Sequence, residues 1–164
     1  MKLTEIFLAI LSAAVACAHD RTPDLDPAHA LALRDSVMEV AQRIPGDLSA
    51  DGPSAWLRYF ETGPAFFMAN DGRIVLPSSD SARVFVEYLS RQLSAVDLNW
   101  LDLRVEPLAP GVAALAASYR ETITYTAGSD TTFGGYVTGV ARHAGDGWRL
   151  QHLHWSSPVP SLPD

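Results

Sequence analysis

The chain contains one cysteine, Cys17, and one lysine, Lys2. A lone cysteine excludes an internal disulfide and a cysteine-based zinc site built within one chain. Lys and Arg together number 12 against 19 Asp and Glu, for a net charge of −7. With no basic excess or stripe to neutralise a phosphate backbone, nucleic acid is excluded as a partner. A glycine-rich phosphate loop, a dinucleotide fingerprint and the Ser-His-Asp order of hydrolases are also missing, so no cofactor is implied. Internal repeats and low-complexity tracts are absent.

What is present fits one folded domain with extensions: 164 residues, 48% hydrophobic and 19% charged. Residues 1–17 have Lys2 at the start and an apolar run from Ile6 to Ala16. That run is short for a membrane span and ends in small residues, as an export signal does. Ala14-Val15-Ala16-Cys17 is similar to a bacterial lipobox. It predicts a lipid anchor at Cys17, an exported protein of the cell envelope or periplasm, and membrane contact only through that lipid. Ordinary signal cleavage near Ala16 or Ala18 is the alternative. Residues 18–26 read as a polar tether, residues 27–157 as the domain and residues 158–164 as a proline-rich tail.

Within the domain, Asp26-Pro27 is a cap followed by proline at the first helical position. Leu33, Val37, Val40 and Ile44 continue at helical spacing, and Pro45-Gly46 predicts the end of that helix. A second helix is expected over Pro53 to Glu61, with Trp56 and Phe60 on one face. Asn70-Asp71-Gly72 between two short apolar runs predicts a hairpin. A third helix is expected from about Ser78 to Leu93. The period then changes to that of strands over Asp97–Glu106, Val112–Thr126, Thr132–His143 and Trp148–Trp155. Gly134-Gly135 reads as a bend that helps the sheet curl.

Helices gathered before a run of antiparallel strands predict an α+β layer. The order, together with Trp56-Leu57-Arg58-Tyr59-Phe60, Asn70-Asp71-Gly72, Asp146-Gly147-Trp148-Arg149-Leu150 and His152-Leu153-His154-Trp155-Ser156, resembles the nuclear transport factor 2-like superfamily in its polyketide-cyclase-like (SnoaL-like) branch. The likeness spans residues 27–157. It implies a curved antiparallel sheet wrapped around three N-terminal helices as an open-ended cone, the cystatin-like arrangement. Such a superfold hosts binding proteins, isomerases, cyclases, dehydratases and assembly domains, so it does not name an activity.

Alternation on the last strand puts Trp148, Leu150, His152, His154 and Ser156 on one face and Arg149, Gln151, Leu153 and Trp155 on the other. The resemblance assigns the histidine face inward. There His154 or His152 would be the catalytic proton handler, because an imidazole titrates near neutral pH. The pocket would be lined by Trp56, Tyr59, Phe66, Tyr88, Tyr119, Glu121, Thr138 and Ser156, and would favour a small apolar or aromatic molecule. His152 and His154 with Glu121 as a third ligand make a metal reading with little support, and no metal is expected. Asp71, near the base position of ketosteroid isomerases, is explained by its turn; Asp97 and Asp102 carry no motif.

Three functions follow. The first is a cell-envelope small-molecule-binding protein. The second is a cofactor-independent isomerase, cyclase or hydrolase using His154 or His152. The third is a homodimeric assembly domain with Trp155 exposed on the outer sheet face as its anchor.

Overall fold

The computed structural model of the chain describes residues 25–158. The expected export segment, Cys17 and the expected tail beyond Pro158 lie outside the described residues. Helix α1 (Pro27–Asp51) opens as its cap predicts, with the Asp26 carboxylate accepting from the His29 backbone N–H at 3.2 Å. Leu33, Val37, Ala41, Ile44 and Leu48 form its buried face. The expected stop at Pro45-Gly46 does not occur.

The reason is chemical. Proline has no N–H, so Pro45 leaves the carbonyl one turn back, that of Ala41, without its helical donor. The Trp100 indole supplies a substitute, donating from Nε1 to the Ala41 oxygen at 2.9 Å. Ile44 and Leu48 continue the buried face through the gap, so burial carries the helix to Asp51, and Gly52 ends it at φ 67°. Trp100→Phe removes the replacement donor and should cost about 1–3 kcal/mol. In a Pro45→Ala chain, whose restored N–H serves the same carbonyl, the loss should shrink by about 1 kcal/mol. Urea midpoints of the four proteins measure this; equal costs in both backgrounds would disconnect the indole from the proline.

The second expected helix is instead a 3-10 helix, Gly52–Arg58, ending before Phe60. Strands β1 (Phe67–Asn70) and β2 (Arg73–Leu76) form the predicted hairpin. Its turn places Asp71 at φ 45° and Gly72 at φ 80°, the left-handed pair this turn needs. Helix α2 (Ser79–Gln92) starts with a capping box between Ser78 and Ser81. Strands β3 (Leu93–Ala109), β4 (Val112–Tyr125), β5 (Asp130–Ala144) and β6 (Gly147–Ser156) then run as an antiparallel meander. The sheet order is β2-β1-β6-β5-β4-β3, with β1 parallel to β6, so the sheet is mixed and not closed.

Two irregularities decide which side chains face α1. On β3 the register shifts between Trp100 and Asp102. Inward residues therefore change from Val96, Leu98 and Trp100 to Leu103 and Val105. On β6 the pairing passes from Leu150 opposite Ala141 to His152 opposite Val140, leaving Gln151 as the extra residue of a bulge. Trp148 and Leu150 face the core before that bulge, and Leu153 and Trp155 face it after. The alternation that put His152 and His154 inside is broken at Gln151.

Candidate functional site

The cone is filled from within by rings. Trp155 meets Tyr119 edge-on at 4.7 Å between centroids and Trp56 at 6.0 Å, and stacks on Trp100 at 6.0 Å. Trp56 stacks on Phe60 at 5.4 Å, and Phe60 packs on Phe66 at 5.0 Å. Among them a cavity of about 10 Å³ remains, lined by residues such as Ile44, Trp56, Trp100, Leu115, Val137 and Trp155. That is about the space of one water molecule, in a lining with no polar partner for it. The throat of the cone is therefore packed core, with room in this arrangement for no more than a water-sized guest.

The structure redistributes the predicted site residues. His152 faces outward and stacks on Phe67 at 4.3 Å, and His154 is exposed on the same outer side. Neither can handle a proton inside the cone, which corrects their catalytic assignment. Glu121 lies on the inner face of β4, so it cannot join the two histidines at one metal; the sheet separates them. Thr138 pairs with His154 across the outer face and is exposed. Tyr88 projects from α2, is 51% exposed and lies outside the ring cluster. Phe66 and Trp56 belong to the core cluster.

Tyr59 is buried but serves a joint between helices. Its hydroxyl donates to the Asp47 carboxylate, which Arg58 also meets at 3.1 Å while reaching Asp51 at 2.8 Å. Burial first, and the Asp47 hydrogen bond second, push the Tyr59 hydroxyl up to about 12. Trp155, expected outside as a dimer anchor, is at the centre of the ring cluster.

Two predicted residues stay together on β4. Tyr119 and Glu121 share the inner face of β4, paired across to Trp100 and Leu98 on β3. Neither side chain has a hydrogen-bond partner among the described residues. Burial raises the Glu121 carboxyl above its usual range, and burial followed by the charges of Glu121 and Asp71 raises the Tyr119 hydroxyl. A carboxyl raised this way accepts a proton more readily than an exposed one. Asp71 holds the end of β6, accepting from the Ser157 backbone N–H at 2.8 Å and from its hydroxyl at 3.2 Å. Its role in the turn is thereby confirmed and extended.

Space for a ligand exists where β6 leaves the sheet. An open groove of about 420 Å³ is lined by Leu101, Ser118, Tyr119, Arg120, Gly134, Gly135, Tyr136, Ser156, Ser157 and Pro158. Its volume falls in the range of small-molecule sites, about 300–1,000 Å³. Of the residues expected to line a pocket, Tyr119 and Ser156 border this groove. Ser118, Arg120 and Tyr136, on the face away from the cone, were not among the expected residues; Gly134-Gly135, opposite Arg120 and Tyr119, was the available signal.

Among the described residues no group of three or more His, Cys, Asp or Glu could hold a metal ion, and no helix is long and apolar enough to cross a membrane. No family model matches the sequence, and no curated protein is detectably similar to it. Solved structures are. A nuclear transport factor 2-like superfamily protein from Salmonella enterica is 15% identical at a TM-score of 0.67, covering 80% of this chain and 95% of its own. A hexachlorocyclohexane dehydrochlorinase of type 2 is 9% identical at 0.62, over 79% of this chain and 87% of its own. An uncharacterized cystatin-like protein from Caulobacter vibrioides is 16% identical at 0.58, over 77% of this chain and 89% of its own. At these identities the likeness is one of fold: the chain has the nuclear transport factor 2-like, cystatin-like fold.

Proposed function

From that fold we propose a small-molecule-binding protein of the cell envelope, tethered through Cys17, with its ligand in the groove beside Tyr119. The fold hosts ligand sites and enzymes alike, and the dehydrochlorinase is one solved example of an enzyme built on it. The observation that carries the reading is the contrast in space: about 10 Å³ inside the cone against about 420 Å³ in the groove. Binding is favoured over proton-transfer chemistry because both histidines point outward, leaving Glu121 without an imidazole partner.

The groove should accept a flat ring lying against Leu101 and Pro158. Ser118 is partly exposed on the outer face, so Ser118→Trp fills the groove without entering the core. Benzyl alcohol and benzoate, followed by NMR, should shift groove resonances in the parent chain. In Ser118→Trp both should weaken by about tenfold or more, about 1.4 kcal/mol, while the fold is retained. Unchanged binding to the filled variant would move the site elsewhere.

A further inference from the structure

We infer that this groove selects small organic anions, an aromatic carboxylate in the simplest case, with Arg120 as the charge partner. The inference rests on the groove being the ligand site. In a chain of net charge −7, the lining has one cation and no carboxylate. Arg120 is exposed on the outer face of β4 and makes no ion pair among the described residues. Arg104, on the same face, is already held by Asp102 at 2.9 Å.

The hydroxyls sort in the same direction. Ser156 Oγ donates to the Tyr136 carbonyl at 3.2 Å, and Ser157 Oγ donates to Asp71. Those of Ser118 and Tyr136, both on the outer face with Arg120, have no partner among the described residues, so each can donate to a ligand. A guanidinium with convergent hydroxyl donors matches a carboxylate, which accepts at two oxygens. Glu121 does not oppose this, because its side chain leaves β4 on the other face of the sheet.

Benzoate and benzyl alcohol present the same ring with and without the charge, and both are titrated into the chain by NMR. Benzoate should bind at least about tenfold more tightly, with the advantage falling as salt is added. Arg120→Gln should bring benzoate down to the level of the alcohol, and Arg120→Lys should keep part of the difference. Melting curves confirm that the exposed substitutions leave the fold intact. Equal affinities for the two probes, or undiminished benzoate binding to Arg120→Gln, would overturn the anion inference and leave the groove standing. No shift from either probe at about 10 mM would overturn the groove reading itself.

Discussion

Trp155→Ala is expected to cost about 3–5 kcal/mol, the range for removing a large buried aromatic side chain. In a domain of this size that lowers the melting temperature by roughly 10 °C. The ring is the hub of the interior, touching Tyr119, Trp56 and Trp100, and it borders a small void among them. Alanine would enlarge that void by most of an indole, and strands β4 and β5 cannot close over it without breaking ladder pairs. His154→Ala, one residue away and exposed, should move the midpoint by less than about 0.5 kcal/mol. The pair of variants therefore tests the bulge at Gln151, because uninterrupted alternation predicts the reverse order. A thermal melt of both proteins at one pH decides it. Comparable losses, or a larger loss at His154, would mean that the last strand does not shift register.

That reversal shows where the sequence was readable. Elements marked by local chemistry appeared as expected: the Asp26-Pro27 start, the Asn70-Asp71-Gly72 turn, the Ser78 cap and the four strand segments. In each case the signal and its cause lie within a few residues. The failures depend on partners distant in sequence. Pro45 signals a helix end only if the Ala41 carbonyl stays unpaired, and its donor comes from Trp100, 59 residues away. Alternation on β6 holds only without an extra residue, and no glycine or proline marks the bulge at Gln151. One uncounted residue exchanged His154 with Trp155 and removed the predicted catalytic pair. The aromatic list was correct as composition, but whether rings line a cavity or fill it depends on packing in three dimensions. Glu121 and Tyr119 fall on the shared face that alternation predicts because the part of β4 that carries them pairs without a register shift.

Gly135→Ala is the second large expected effect, and it links the shape of the sheet to the proposed site. Gly135 stands opposite Tyr119 on β4, one residue before the last rung that joins β5 to β6. A methyl group there would overlap the Ser156 carbonyl oxygen and lie 3.1 Å from both the Ser156 carbonyl carbon and Tyr119 Cε1. The first obstacle is backbone, which cannot rotate aside as a side chain would. The end of β6 or the β5 strand must move, at a cost of about 1–3 kcal/mol or somewhat more, as overpacked cores show. Alanine's lower chain entropy when unfolded returns only about 0.5–1 kcal/mol of this. The same substitution next door behaves differently: at Gly134 the nearest atom is the Tyr119 carbonyl oxygen at 3.4 Å, at the edge of ordinary contact. Gly134→Ala should be neutral or slightly stabilising. Gly135→Ala should melt several degrees lower and lose benzoate binding, because Ser156, Tyr119 and the groove wall shift together. Should both variants melt alike and bind alike, the close approach of β6 to Gly135 would be wrong, and the groove would need another boundary.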